Sequence, residues 1–206
     1  MRPLICLLGL LAFSARAEIS VVTSISPVYQ ITQSIMQTVA QPEILIRAGA
    51  SAHHFAFKPS DFRLLEKAGL VIWIDRHFES GFARVPELLR AQTRGLELLP
   101  ALGLTGQDGH LWYSPSLLIQ IVEQIRFAVS ALDPSHEAIY ARNAERLSEQ
   151  ILAWEKMTRA QLIQQQPLYL LDHDFLSHFE SDMGVRSLAV LHDRNDRQAG
   201  ISELKR

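Results

Sequence analysis

Short β-branched, apolar segments alternate along this chain with stretches of helical period, and that alternation limits it to a parallel sheet covered by helices. Ile19 to Ser24 reads as a buried strand. Ser26-Pro27 reads as an N-cap followed by proline at the first helical position, with Val28, Ile31, Ile35 and Val39 at helical spacing behind it. Glu43 to Arg47 is a second strand, followed by the small-residue loop Ala48-Gly49-Ala50-Ser51. Pro59-Ser60-Asp61 opens a helix that carries Phe62, Leu65 and Ala68 on one side and stops at Gly69. Leu70 to Ile74 is a third strand, Phe78 to Leu89 a helix disturbed by Pro86, and Leu96 to Leu99 a fourth strand.

The rhythm then changes. Pro115 to Leu132 is one helix, and Asp133-Pro134 restarts a second that runs to about Gln166, with Ile139, Leu147, Ile151, Trp154 and Leu162 as its apolar positions. A helix of about 30 residues spans about 45 Å, too long for an element inside one small lobe and suited to a spine between two. After Pro167 come a strand (Leu168 to Leu171), a helix (Phe175 to Met183), a strand (Val185 to Leu191) and the first turns of another helix (Ile201 to Arg206). The expected organisation is an α/β fold with a signal peptide over 1–17, an N-terminal α/β lobe over 18–132, a linking helix over 133–166 and a partial C-terminal α/β lobe over 167–206. Two strands are fewer than an independently stable sheet needs. Either they join the first sheet or the second lobe is incomplete.

Arg2, the apolar run from Leu4 to Phe13, and Ala15-Arg16-Ala17 have the charge, length and small-residue pattern of a secretory signal cleaved after Ala17. The run is too short for a permanent membrane span. Cleavage places the mature protein in the periplasm and removes Cys6, the single cysteine, leaving no thiolate for metal binding or nucleophilic catalysis. With a formal net charge of -2 and no basic block, nothing points to nucleic acid.

Imidazole and carboxylate are then the remaining strong metal ligands. Of the eight histidines, His53 follows the second strand, His110 lies in a glycine-containing loop before a helix, and His173 follows the strand ending at Leu171. Ligands of open α/β sheets bind outside the carboxyl ends of the strands, an edge these three histidines can all reach. The same positions also suit histidines that are merely solvated or hydrogen-bonded.

Gly49-Ala50-Ser51-Ala52-His53-His54-Phe55, followed by Lys58-Pro59-Ser60-Asp61, resembles a motif of the zinc and manganese solute-binding proteins of ABC importers. Asp108-Gly109-His110-Leu111-Trp112 and Leu171-Asp172-His173-Asp174-Phe175 resemble two more, in family order. The resemblance implies two α/β lobes joined by a long helix, with metal held between them by His53, His110 and His173. It implies a non-enzymatic protein that captures Zn2+, with Mn2+ the lesser option, and delivers it to an inner-membrane ABC permease. Three imidazoles favour zinc, whereas manganese prefers oxygen ligands.

The chain departs from the family pattern at several points. Gly109 replaces a proline, Ser114 stands where an aspartate caps the next helix, and Ala52 stands where some zinc receptors carry glutamate. The segment that supplies an acidic fourth ligand in the family is not reached. His54, His192, Asp193, Asp196 or water are the candidates for that position. Asp172 or Asp174 could steady His173, and Asp174 could equally cap the following helix. Trp112 and Phe55 would wall the cleft or fill the core. His77 matches no ligand motif, and His136 and His178 read as surface or packing residues. Two other functions remain open: a shortened receptor acting as a periplasmic zinc buffer or chaperone, and a zinc hydrolase, against which stands the absence of an HExxH motif.

Overall fold

The computed structural model describes residues 19–47 and 49–192. Four short strands, β1 (Val21–Thr23), β2 (Glu43–Ile44), β3 (Leu70–Trp73) and β4 (Arg94–Glu97), form one sheet in the order β2-β1-β3-β4. All three pairings are parallel, as strands joined by helical crossovers must be. The order reverses direction between β1 and β3, so the carboxyl ends of those two strands flank the crevice where such sheets take ligands.

The helices are α1 (Ser26–Met36), α2 (Pro59–Lys67), α3 (Val85–Leu88), α4 (Leu98–Ala101), α5 (Pro115–Leu132), α6 (Glu137–Gln165) and α7 (Ser177–Met183). Ile35 and Met36 of α1, Ile121, Ile125 and Val129 of α5, and Tyr140 and Ala144 of α6 pack with Val22, Leu70 and Ile72 of the sheet in one buried cluster. Each such aliphatic side chain contributes about 1.5–3 kcal/mol through burial. Asn143 of α6 donates to the carbonyls of Ile35 at 3.0 Å and Gln37 at 3.1 Å, closing the carboxyl end of α1.

The long helix spans 29 residues, about 44 Å at the standard rise, and ends where Gln166 turns left-handed (φ 42°) before Pro167. Its first half is built into the core, while Leu152, Trp154, Met157 and Ile163 further along are exposed. Beyond it, β5 (Leu170–His173) and β6 (Ala189–His192) pair in parallel as a sheet of their own, with His173 opposite His192. Among the described residues these strands do not join the first sheet. No described helix is long and apolar enough to cross a membrane.

Several boundaries move from the sequence expectation. Ser26 is the first helical residue of α1 and Ile25 its N-cap, with no side-chain cap bond, so proline sits one position deeper. The second strand closes at Ile44, although the amides of Leu45 and Ile46 still bond to Thr23 and Ser24. In place of one helix over 78–89 there is a 3₁₀ turn, Ser80–Arg84, and the short α3, because Pro86 has no amide hydrogen to continue the ladder. The fourth strand is Arg94–Glu97, and Leu98 and Leu99 are buried in α4. The helix expected from Phe175 starts at Ser177 with Leu176 as N-cap, so Asp174 is not its cap. The signal segment with Cys6, Ala48, Asp193, Asp196 and the helix expected over 201–206 lie outside the described residues.

Candidate metal centre

The second strand delivers His53 to a loop, where its position is set from residues 75–81 rather than by its own neighbours. His53 Nδ1 lies 3.0 Å from the Phe78 carbonyl oxygen, and Ser80 Oγ donates to the His53 carbonyl at 2.6 Å. A carbonyl oxygen can only accept, so Nδ1 carries the hydrogen and, in the neutral ring, Nε2 carries the lone pair.

His110 is fixed by Asp108. Asp108 Oδ1 accepts from His110 Nδ1 at 2.7 Å and from the His110 amide at 3.2 Å. Here too the bond assigns the lone pair of the neutral ring to Nε2. Burial raises the Asp108 pKa, but the hydrogen bond and charge of His110 and the Ser177 hydroxyl outweigh it and hold the carboxyl at about 2. The carboxylate is therefore ionised throughout the physiological range. It is also tied to α7, because Ser177 Oγ donates to Asp108 Oδ2 at 2.8 Å and His178 Nε2 to the Asp108 carbonyl at 2.8 Å.

His173 is the last residue of β5, not a loop residue after it. Its carbonyl accepts from the Phe175 amide at 3.0 Å, and its ring lies 5.0 Å from the Phe175 ring. The three rings of His53, His110 and His173 come together with His110 in the middle. Its centroid is 5.9 Å from that of His53 and 5.6 Å from that of His173. Zn–N bonds of about 2.0–2.1 Å in a tetrahedral site would set ring centroids roughly 5 Å apart. The rings are close to that spacing without having converged: among the described residues, no three His, Cys, Asp or Glu side chains form a ready coordination sphere.

Aromatic rings surround His110 on one side of this cluster, while His53 is exposed. Phe78 and Trp112 lie 5.0 and 5.3 Å from His110, and Phe175 lies 6.3 Å away. Phe55, the other expected wall residue, instead packs on Phe57 and Phe82.

The remaining histidines are engaged elsewhere. His54 Nδ1 faces Ser51 Oγ, His77 pairs with Asp75, and His136 pairs with Asp133 in the turn before α6. His192 Nδ1 lies 3.2 Å from both the Asp172 carbonyl and its carboxylate, so Asp172 serves His192. His178, read from sequence as a surface or packing residue, is a link between α7 and the His110 loop. Asp182 of α7 was also missed. Its carboxylate accepts from Ser114 Oγ at 2.5 Å, the Ser116 amide at 3.0 Å and Ser116 Oγ at 3.1 Å, supplying a carboxylate at the start of α5, where Ser114 replaces the family's aspartate. No periodicity marks Ser177, His178 or Asp182, because their partners lie 66 to 70 residues away. For Asp108 a signal existed, the D-x-H spacing. Asp75 and His77 share it without belonging to the cluster.

The family model for zinc-uptake complex component A, periplasmic, matches residues 21–206. Among curated relatives, the chain is similar to the high-affinity zinc uptake system protein ZnuA of Paracoccus denitrificans, at 27% identity over 86% of this chain and 68% of the relative. It is also similar to the iron-binding protein YfeA of Yersinia pestis, at 29% identity over 90% of this chain and 63% of the relative. The chain thus spans about two thirds of the length of these relatives. Among solved structures, it shares its fold with a Mn-bound periplasmic metal-binding protein from Candidatus Liberibacter asiaticus. The TM-score is 0.72 at 24% identity, covering 82% of this chain and 68% of that one. The family consists of solute-binding transporter components, not enzymes. By the match across nearly all of its described length, the chain belongs to the zinc-uptake complex component A family of periplasmic divalent-metal-binding proteins.

Proposed function

We propose that this chain captures a zinc ion with His53, His110 and His173 and delivers it to an inner-membrane ABC permease. The observation that carries this reading is the grouping of the three rings about His110, at 5.9 and 5.6 Å, with Nδ1 of His53 and of His110 each held by an oxygen acceptor. Each of those two bonds makes Nε2 the coordinating nitrogen, and such outer partners raise ligand basicity and fix ring orientation. Capture requires the rings to close from 5.9 and 5.6 Å to the roughly 5 Å of a tetrahedral ion. Water or a carboxylate completes the sphere.

Zinc is favoured over manganese because all three proposed ligands are imidazole and no carboxylate stands among them. Residues 18–132 supply His53 and His110, and residues 167–206 supply His173, with the helix between them holding the two groups in register. Export follows from the N-terminal segment, with cleavage after Ala17.

Calorimetric titration of the chain with zinc tests the capture. One-to-one binding is expected, weakened at least about tenfold by alanine at any of the three histidines, since each Zn–N bond is a large share of such a site. Undiminished zinc binding by the triple alanine variant defeats the reading. Delivery is tested separately, by whether the chain restores growth under zinc limitation only in cells that keep their zinc permease.

A further inference from the structure

Residues 75–81 hold both His53 and the His110 loop. Phe78 gives its carbonyl to His53 Nδ1, and Ser80 gives its hydroxyl to the His53 carbonyl. The Phe78 ring lies so close over Gly109 that a Cβ there would meet its ring carbon at 2.3 Å, and Gly81 is equally close to the Phe55 carbonyl oxygen. Segments that carry two ligands from different parts of the chain therefore rest on one short loop.

That loop is pinned from within by Glu79, whose side chain is fully buried. Glu79 Oε2 accepts from the Ile74 amide at 2.7 Å and the Asp75 amide at 3.3 Å, at the carboxyl end of β3. The Glu79 amide bonds back to the Asp75 carbonyl at 2.9 Å. On the other side stands Ser24, at the carboxyl end of β1, with its hydroxyl toward the carboxyl. Glu79 Oε1 and Ser24 Oγ are both buried and not in bonding geometry with any partner. The carboxyl thus fills the crevice between β1 and β3, the position where an open α/β sheet ordinarily receives a ligand. A buried carboxyl with one oxygen unsatisfied is costly, and such costs collect where function needs the geometry.

We propose that Glu79 is a positioning residue for metal capture: from the crevice between β1 and β3 it fixes residues 75–81, and through Phe78 and Ser80 it sets the orientation of His53. This rests on His53 being a metal ligand. Removing the carboxyl lets the loop shift, loosens the Phe78 carbonyl from His53 Nδ1 and lowers metal affinity without touching any ligand. Glutamine has the same length and keeps an oxygen for the Ile74 amide, so it preserves the arrangement.

The test compares the full chain with its Glu79→Ala, Glu79→Asp and Glu79→Gln variants by zinc titration and by long-range 1H–15N spectra of the imidazoles without metal. The His53 signals are assigned by their loss in His53→Ala. Alanine and aspartate are expected to weaken zinc binding about tenfold, the scale of outer-partner losses, and to remove the Nδ1–H signature of His53, while glutamine retains both. Should alanine prevent folding, aspartate decides the matter. Wild-type zinc affinity in folded Glu79→Asp, or lost affinity with an unchanged His53 ring, overturns the proposal. If the wild-type chain itself takes no zinc, the metal reading fails, and the ring spectra still judge whether Glu79 orients His53.

Discussion

Asp108 Oδ1 accepts from His110 Nδ1 at 2.7 Å while Asp108 Oδ2 accepts from Ser177 Oγ at 2.8 Å, so one buried carboxylate orients the central imidazole and fastens α7 to it. Its depressed pKa, about 2, keeps the carboxylate ionised beside His110, the central imidazole of the proposed site. The charge makes the other nitrogen of that ring a better donor to metal. Asp108→Asn is expected to weaken zinc binding by about 10–100-fold, the range for losing such a partner. Competition titration against a chelator of known affinity measures it. A loss of less than about twofold would mean that Asp108 serves α7 and not the metal.

Asp182 gives α7 a second attachment, through Ser114 and Ser116 at the start of α5. A carboxylate at a helix amino terminus meets unsatisfied amides and the positive end of the helix dipole. Asp182→Ala is expected to cost about 1–2 kcal/mol by denaturant unfolding. Hydrogen exchange should quicken in α7 and β6 more than in the four-stranded sheet, whose core does not include Asp182. Uniform acceleration across the chain would count against a local attachment.

The buried Glu79 carboxyl makes stability depend on pH in a defined direction. Burial pushes its pKa up from 4.5 to about 7, against the opposing bonds from the Ile74 and Asp75 amides and the nearby Ser24 hydroxyl, and the neighbouring Asp75 charge adds to the rise. The folded chain therefore holds this proton more tightly than the unfolded chain. As pH climbs from 4.5 to 7, unfolding releases the proton, and stability falls by about 3 kcal/mol from this group. Glutamine does not titrate. The difference in unfolding free energy between Glu79→Gln and wild type should then move in favour of glutamine by about that amount between pH 4.5 and pH 8, while other groups cancel. A difference that stays constant with pH would show that Glu79 keeps an ordinary pKa.

The repeated strand–helix alternation was enough to read a parallel sheet and a long helix from sequence, because apolar period and breaker placement are local properties. Val22, read as part of a buried strand for that reason, lies in the core. Grouping His53, His110 and His173 was within reach through the family-like motifs around them and not through a shared sheet edge, because His173 ends β5 in a sheet of its own. The strand order β2-β1-β3-β4 was not readable, as it depends on contacts between distant segments, whereas the separate parallel β5–β6 pair matches the partial second lobe read over 167–206. Residues 75–81 were the largest loss. From Phe78 on their sequence reads as the start of a helix to Leu89, whereas Asp75, Phe78, Glu79 and Ser80 fold them into a turn that bears on His53. Side-chain bonds to backbone won there over propensity, with Pro86 denying the continuous helix.

If the proposed site holds, metal preference should respond to the chemistry at His173. His173 stands at the end of β5, and its ring is 5.6 Å from that of His110, so a carboxylate of similar reach can enter the same space. Imidazole suits zinc, and each oxygen ligand moves a site toward manganese. His173→Glu is expected to lower the ratio of zinc to manganese affinity by about tenfold, which is about 1.4 kcal/mol of selectivity. Parallel titrations with the two metals supply the ratio. The backbone should be unaffected, because His173 lies at a strand terminus and its carbonyl bond to the Phe175 amide does not involve the ring. An unchanged ratio, with both affinities intact, would remove His173 from the set of ligands and leave the metal to His53 and His110.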